Sequence, residues 1–268
     1  MRPARSNAYM QQATVQKSSR HRRRGYVHAG ELEMYYEIGG MGFPLLLLHG
    51  GFSTIETSFA ALREPLRDQH DVIAFEQQGH GHTADVDRPL SYAQMVDDTA
   101  EALAQLRVDR ADVFGWSDGG IVALGLALAA PDLVRRVAII GAGSGPEAEA
   151  PGFRERMRNV SPDNENLAAF REHYEKVAPD PAGWPALVAK VRDNYLDFRG
   201  WDESRLRTLA APLMVMLGDR DIVTLEHAVK LQRIVPHGRL AVLPGCDHSA
   251  PVTRPDWVAS MLLDFFGD

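Results

Sequence analysis

The sequence contains almost no cysteine, since Cys246 is the only one among 268 residues. A single cysteine cannot form a disulfide within the chain, so nothing in the cysteine content indicates an oxidising compartment. Long hydrophobic runs are also missing: residues 121–130, the longest run, fall well short of the roughly 20 residues that span a bilayer. The N-terminal residues lack the apolar segment of a secretory signal. We therefore predict a cytoplasmic protein with no membrane association.

Acidic residues are absent from the first 30 positions, which contain seven arginine and lysine residues. The total charge of −7 therefore leaves about −14 on the rest of the chain. We predict that residues 1–25 form a disordered basic tail, although an Arg-rich segment without acids also fits a transit peptide. The acidic remainder disfavours nucleic acid as a partner and favours neutral or cationic small molecules as substrates.

Short continuous apolar runs predict strands that are buried on both faces. These runs occupy residues 45–48, 72–75, 113–116, 134–140, 213–217 and 240–243. Helices are predicted at residues 91–107, 118–130, 225–235 and 254–266. Residues 26–28 and 31–38 are expected to form an antiparallel hairpin. The alternation predicts an α/β protein with a doubly wound, mostly parallel sheet, whose ligands bind beyond the carboxyl ends of the strands.

One segment interrupts the alternation of strands and helices. Residues 144–206 contain six prolines and no clear strand. We predict that they form a small helical cap inserted into a catalytic core made of residues 26–143 and 207–268. Most aromatic residues of the cap are expected to pack against one another, but Trp184 is a candidate contact for the substrate.

The segment 115–120, Gly-Trp-Ser-Asp-Gly-Gly, lies between a predicted strand and a predicted helix. This is the context of a G-x-S-x-G nucleophile elbow, in which a sharp turn exposes the serine hydroxyl. Glycines two residues before and after Ser117 leave room for that turn. The helix dipole at this position favours a developing negative charge. Ser117 is therefore the predicted nucleophile.

A serine hydroxyl needs a neighbouring base, and that base is oriented by a third group. The predicted strand 240–243 is followed by Pro-Gly-Cys-Asp and then His248, which is the candidate base. The predicted strand 213–217 is followed by Asp219 and Asp221. Asp221 is the preferred orienting acid, while Asp219 either caps the following helix or takes the role itself.

The oxyanion of a tetrahedral intermediate needs preorganised N–H donors. His49-Gly50-Gly51-Phe52 directly follows the predicted strand 45–48 and forms a loop of small residues that a substrate can approach. We expect one donor to be the backbone N–H of Asp118 and the other to be that of Gly51 or Phe52. An ordinary glycine turn is the alternative.

Over residues 26–268 the chain resembles the α/β-hydrolase superfamily, through the glycine loop at 49–51, the segment 79–83, the Ser117 elbow, Asp221 and His248. The resemblance implies the α/β-hydrolase fold with an inserted cap, a serine hydrolase activity and no cofactor. The segment 115–120 is also similar to that of the biphenyl-hydrolase-like, or valacyclovir-hydrolase-like, group. The resemblance implies that the acidic residue directly after the nucleophile, Asp118 in this chain, recognises an α-amino ester.

The chain departs from the usual superfamily pattern before Gly79, where Glu76-Gln77-Gln78 stands in place of Asp-x-Arg. This departure concerns local loop contacts rather than the triad. His80 and His82 provide only two ligands for a metal ion and no third is in sight, so we interpret them as part of a turn and expect no metal site.

Two further residues are predicted to contact the substrate. The carboxylate of Asp118 is expected beside the nucleophile, where it would attract an ammonium group and repel a carboxylate. The alternative is that Asp118 caps a backbone N–H or faces a helix partner. Trp116 precedes the nucleophile and is expected at the same site.

These residues predict an enzyme that cleaves small carboxylic esters, including α-amino-acid esters, through an acyl-serine intermediate. Lactone opening, perhydrolysis and cleavage of a carbon–carbon bond use the same triad and remain alternatives. An alternative of another class is a ligand receptor or scaffold built on the hydrolase fold. The sequence does not indicate an oligomeric state.

Overall fold

The computed structural model describes residues 22–267, which form an eight-stranded sheet covered by helices on both faces. The tail prediction for residues 1–21 lies outside the described residues. The strands are β1 (Arg22–Ala29), β2 (Leu32–Gly40), β3 (Phe43–Leu48), β4 (His70–Phe75), β5 (Ala111–Trp116), β6 (Val134–Ile140), β7 (Leu213–Gly218) and β8 (Gly238–Leu243). Their order across the sheet is β1-β2-β4-β3-β5-β6-β7-β8.

The first two strands are antiparallel and the remaining six run parallel to one another. β2 pairs antiparallel with both β1 and β4, whereas the pairs from β4 to β8 are all parallel. All connections between parallel strands therefore return over a face of the sheet, and the carboxyl ends of β3 to β8 meet at one edge. The prediction of a doubly wound, mostly parallel α/β fold is confirmed.

The helices divide between the two faces of the sheet and the cap. They are α1 (Ile55–Arg67), α2 (Tyr92–Gln105), α3 (Asp118–Ala129), α4 (Phe153–Arg158), α5 (Ala168–Val177), α6 (Trp184–Asp197), α7 (Glu203–Leu206), α8 (Leu225–Ile234), α9 (Ala250–Thr253) and α10 (Pro255–Gly267). Within residues 22–267, no helix is both long enough and apolar enough to cross a bilayer.

The leucines of β3 show why its sequence is continuously apolar. Leu46 and Leu48 belong to the core that packs against α2, α3 and α8, whereas Leu45 and Leu47 belong to the core under α1 and α10. Side chains of a strand alternate between faces, so a strand covered on both sides needs apolar residues at every position. The four leucines are fully buried.

Three details differ from the sequence expectations. Residues 22–25 belong to β1, so a disordered tail reaching residue 25 is wrong for these four positions, which pair with β2. β8 is the edge strand and is partly exposed, so it is not buried on both faces. Helix α1 was not predicted, because its residues include Pro65 and several charges. Its large apolar residues Ile55, Phe59, Leu62 and Leu66 are buried, together with Ser58 and Arg67.

Between β6 and β7 the chain leaves the sheet. Residues 144–206 contain α4 to α7, and their one extended contact is an isolated bridge between Glu149 and Val223. A small hydrophobic cluster that includes Trp184, Leu187 and Val191 holds these helices together. The segment lies over the carboxyl edge of the sheet, because its residues line the same cavity as the loops after β3 and β5.

Candidate active site

Ser117 lies at the turn between β5 and α3. Its backbone has φ 56° and ψ −122°, a region that non-glycine residues rarely occupy. The turn is held in place by the Ser117 N–H, which donates to the carbonyl of Ile140 on the neighbouring strand at 3.0 Å. Strain of this kind persists where the surrounding structure enforces it, and here it lifts the hydroxyl above the end of the strand.

The glycines on either side of Ser117 are required by close backbone approaches. A Cβ at Gly115 would clash with the carbonyl group of Gly119, and a Cβ at Gly119 would clash with the carbonyl oxygen of Leu48. Larger residues would push α3 away from β3 and β5. The local sequence thus allows the tight strand-to-helix turn that the G-x-S-x-G pattern predicts.

The structure brings Ser117, His248 and Asp221 into one hydrogen-bonded chain. His248 Nε2 lies 2.9 Å from Ser117 Oγ, and His248 Nδ1 lies 2.8 Å from Asp221 Oδ1. Asp221 is almost fully buried, with 1% of its side chain exposed, while His248 is 26% exposed. A buried acid, an oriented imidazole and a hydroxyl within reach are the arrangement that activates a serine nucleophile.

The backbone holds Asp221 in place, whereas Asp219 has another partner. Asp221 accepts hydrogen bonds from the N–H groups of Gly218 at 3.2 Å and Ile222 at 2.7 Å. Asp219 instead accepts from the N–H of Gly245 at 2.9 Å and lies on the exposed side of the loop. Of the two candidates, Asp221 is therefore the one that contacts the base.

Two neighbours position His248, and one of them, Gly141, was not identified from the sequence. Trp116 donates its indole N–H to the carbonyl of His248 at 2.9 Å. Gly141, which follows β6, has φ 60°, and a Cβ there would lie 2.7 Å from His248 Nδ1. The signal that could have found Gly141 is a glycine directly after a parallel strand, at the edge where ligands bind.

The loop after β3 faces the nucleophile as predicted for an oxyanion hole. A Cβ at Gly50 would lie 3.3 Å from the Cβ of Ser117, and Phe52 has a left-handed backbone with φ 62°. Among the described residues, the backbone N–H groups of Gly51, Phe52 and Asp118 have no hydrogen-bond acceptor. Unpaired donors beside a nucleophile are free to bind a developing oxyanion. The choice between Gly51 and Phe52 as the second donor stays open.

Asp118 is both paired and part of the cavity wall. Its Oδ1 accepts a hydrogen bond from the hydroxyl of Tyr92 at 2.8 Å, and only 8% of the residue is exposed. Burial raises the pKa of Asp118 to about 6, although the Tyr92 hydrogen bond opposes the shift. The other oxygen, Oδ2, packs against Gly51, where a Cβ would approach it within 2.7 Å.

A cavity of about 350 Å³ lies over Ser117 and is closed on the far side by the cap. A volume in this range suits a small molecule. The core contributes Gly51, Trp116, Ser117, Asp118 and His248 to its wall, and the cap contributes mainly apolar side chains. Trp116 therefore lines the cavity, and its contact with a substrate stays a prediction.

Trp184 does not line the cavity, so its prediction as a substrate contact is wrong. Its side chain is 1% exposed and packs inside the cap against Phe52 and Tyr174. Its indole N–H donates to the carbonyl of Pro162 at 2.9 Å. A large aromatic side chain with a satisfied N–H is a packing residue, and its role here is to hold the cap together.

A family model described as the alpha/beta hydrolase family matches residues 45–261. This range covers most of the chain and contains Ser117, Asp221 and His248. The chain belongs to the α/β-hydrolase family. The relatives described next are named as hydrolases.

Several curated relatives match most of the length of this α/β hydrolase. RutD of Azorhizobium caulinodans, to which a carbamate hydrolase activity is ascribed, is 28% identical over 91% of this chain and 98% of its own. The 2-hydroxymuconate semialdehyde hydrolase of Pseudomonas sp. is 26% identical over 85% and 88%. The human serine hydrolase BPHL is 25% identical over 87% and 83%.

Solved structures agree with the fold. The meta-cleavage product hydrolase CumD of Pseudomonas fluorescens superposes with a TM-score of 0.77 at 22% identity, covering 91% of this chain and 97% of that one. Est816, an N-acyl homoserine lactone degrading enzyme, gives a TM-score of 0.75 at 24% identity, covering 90% and 99%.

In this α/β hydrolase, Glu76 accounts for the departure before Gly79. Its buried carboxylate accepts hydrogen bonds from the N–H of Ile55, at the start of α1, and from the N–H of His82. His82 Nδ1 lies 2.9 Å from the same carboxylate, which raises the pKa of His82. Glu76 thus ties this turn to α1. No group of three metal-ligating side chains occurs within residues 22–267, and the two histidines belong to the turn.

Proposed function

We propose that this α/β hydrolase cleaves small carboxylic esters through an acyl-serine intermediate. The observation that carries the proposal is the hydrogen-bonded contact of His248 Nε2 with Ser117 Oγ at 2.9 Å and of His248 Nδ1 with Asp221 Oδ1 at 2.8 Å, beside three unpaired N–H groups. Nucleophile, base, acid and oxyanion donors are the parts that acyl transfer requires.

Each residue has a defined part in the proposed reaction. Ser117 Oγ attacks the ester carbonyl while His248 Nε2 takes its proton, and Asp221 stabilises the resulting imidazolium. The N–H of Asp118, with that of Gly51 or Phe52, binds the oxyanion. His248 then gives the proton to the leaving alcohol. Water repeats the sequence on the acyl-serine and releases the acid.

Asp118 supports α-amino-acid esters as one class of substrate. Its carboxylate lies in the cavity wall one residue after the nucleophile, and its pKa of about 6 leaves it mostly ionised at neutral pH. A carboxylate in this place attracts an ammonium group next to the scissile carbonyl. The resemblance of residues 115–120 to the biphenyl-hydrolase-like group supports the same class of substrate.

A second candidate is hydrolytic cleavage of a carbon–carbon bond. It is favoured by the similarity to a 2-hydroxymuconate semialdehyde hydrolase over 85% of the chain. The same nucleophile and oxyanion donors would act on a vinylogous ketone in place of an ester. Fold alone does not separate these reactions, because the substrate is chosen by the side chains of the cavity.

The proposal is tested by trapping the acyl-enzyme. Wild-type protein is mixed with a fluorophosphonate and, separately, with a panel of p-nitrophenyl and amino-acid esters, and the intact mass is measured during turnover. We expect a phosphonyl adduct and a transient acyl adduct, both lost in Ser117→Ala. Labelling without turnover of any ester would contradict the ester proposal, and absence of labelling would favour a receptor or scaffold.

A further inference from the structure

The cationic side chains of the cap helices are nearly all paired with carboxylates. Among the seven arginine and lysine residues of α4, α5 and α6, six form ion pairs within 4 Å. The six are Arg154 with Glu149, Arg158 with Glu155, Arg171 with Glu175, Lys176 with Glu172, Lys190 with Asp85 and Arg192 with Asp193. Arg156 has no acidic partner among residues 22–267.

Arg156 is the member of this set that lines the cavity, and it is exposed. It lies in α4 and lines the cavity above Ser117, together with Phe153 from the same helix. Its guanidinium carbon lies 5.4 Å from the centroid of the Phe153 ring. An aromatic ring under a guanidinium limits its motion and leaves the N–H groups free, which suits it to bind a carboxylate with two parallel hydrogen bonds.

Two side-chain amides lie on the same wall. Asn164 and Asn166 line the cavity beside the cap helices. The oxygen of Asn164 already accepts the backbone N–H of Asn166 at 3.0 Å, so its NH₂ group is the part left for a ligand. Within the described part of the chain, the side chain of Asn166 makes no hydrogen bond. Arg156 and these amides together offer donors to an acceptor-rich group.

The charges of the cavity wall are divided between its two sides. Asp118 places a carboxylate beside the nucleophile, and Glu149 is neutralised by Arg154 at 2.8 Å. Arg156 is thus the unneutralised cation of the described wall. The acidic protein as a whole repels anionic substrates. A cation without a partner in the cavity wall can still attract an anionic group on one part of a substrate.

We propose that Arg156 binds a carboxylate at the end of the substrate remote from the scissile bond. This inference rests on the proposed ester hydrolase function and adds esters with a remote acidic group to its expected substrates. Because Asp118 repels a carboxylate placed near the scissile carbonyl, the acidic group belongs several carbon atoms away from it. Long dicarboxylic monoesters therefore fit better than short ones.

The test compares esters that differ in one charged group. The p-nitrophenyl monoesters of adipic and suberic acid are matched with neutral p-nitrophenyl esters of similar length, and kcat/KM is measured for each. The variants are Arg156→Gln, Arg156→Lys and Arg158→Gln. Arg158 is the matched control, because it lies in the same helix but is paired with Glu155 and does not line the cavity.

We expect the acidic-to-neutral ratio of kcat/KM to fall about twofold to fivefold in Arg156→Gln, as for an exposed ion pair. Arg156→Lys should keep part of the ratio, and Arg158→Gln should keep all of it. In wild type the ratio should fall towards that of Arg156→Gln when the salt concentration is raised to about 1 M.

The possible failures are distinct. If wild type hydrolyses the esters but Arg156→Gln leaves the ratio unchanged, or Arg158→Gln lowers it equally, the assignment of Arg156 is wrong while the ester hydrolase function stands. If wild type hydrolyses neither kind of ester, the proposed function itself is wrong, and the assignment of Arg156 is overturned with it.

Discussion

The two walls of the cavity are built on different principles. On the sheet side, the side chains of Ser117, His248 and Asp221 each have a hydrogen-bond partner, and each follows a parallel strand. On the cap side, short helices supply apolar residues and donors without partners, among them Arg156. We therefore expect the residues at the strand ends to carry out the reaction. We expect the cap residues, which a separate hydrophobic cluster holds together, to select the substrate.

The largest expected effect on turnover comes from removing the proposed nucleophile or base on the sheet side of the cavity. We expect Ser117→Ala and His248→Ala each to lower kcat by a factor on the order of 10⁶, with no further loss in the double variant, because the residues act as a unit. Ester turnover and fluorophosphonate labelling measure the effect. Turnover within tenfold of wild type in either single variant would refute the triad.

The two aspartates after β7, Asp219 and Asp221, are expected to differ in their effect on kcat. Asp221→Asn is expected to lower kcat by about 10⁴, because an amide no longer holds the imidazole in the productive tautomer. Asp219→Asn is the matched control, since this exposed carboxylate contacts Gly245 and not His248. A larger loss in Asp219→Asn than in Asp221→Asn would reverse the assignment.

Asp118 lies where the two walls meet, and its charge should set a preference. For an alanine ester over the matching propionate ester, we expect a ratio of kcat/KM of roughly tenfold to a hundredfold. Asp118→Asn keeps the backbone N–H but should abolish this ratio. A wild-type ratio near one, or an equal loss of both substrates in the variant, would make Asp118 a structural residue.

The pH dependence of the same ratio follows from the pKa of Asp118. Burial raises that pKa to about 6, so the carboxylate is ionised above this value and the ratio should fall as the pH is lowered through about 6. It should also fall above about 8, where the substrate amine loses its proton. In the ratio of the two kcat/KM values, the effect of any group whose titration changes the hydrolysis of both esters equally cancels. A ratio that is flat between pH 5 and 7 would contradict the assignment.

The smallest effect is expected inside the cap. Trp184→Phe removes the hydrogen bond to Pro162 and should lower the free energy of unfolding by about 1 kcal/mol. Because Trp184 does not line the cavity, kcat/KM for a small neutral ester should stay close to that of wild type. Denaturant unfolding and steady-state kinetics give the two values. A large rise in KM at unchanged stability would restore Trp184 as a substrate contact.

Much of the sheet could be predicted because strands buried on both faces have a distinctive composition. The predicted strand at 134–140 has the bounds of β6, and the other parallel strands differ from prediction only at their ends. Helix α1 was missed because Pro65 and the charged residues obscure the helical spacing of Ile55, Phe59, Leu62 and Leu66, which are the residues that become buried. The exposure of β8 was missed because an edge position depends on strand order, which the apolar pattern of one strand does not contain.

The placement of the candidate site residues shows the same limit. Ser117 is locally encoded, because the strand, the glycines and the helix that shape its turn lie within a few residues of it. Trp184 was misplaced, because an aromatic residue in a cap is equally compatible with packing and with ligand contact. Its burial depends on Pro162 and Tyr174, which come from other parts of the cap.

The α/β fold, the elbow at Ser117 and the positions of Asp221 and His248 after later strands therefore follow from the sequence alone. Each of these rests on short-range patterns of burial, turn geometry and chain order. The tertiary structure alone decided that Tyr92 donates to Asp118, that Gly141 makes room for His248 and that Arg156 reaches the cavity without a partner. These contacts join elements far apart in the chain, and they arise only when the packing of the sheet and the cap brings the side chains together.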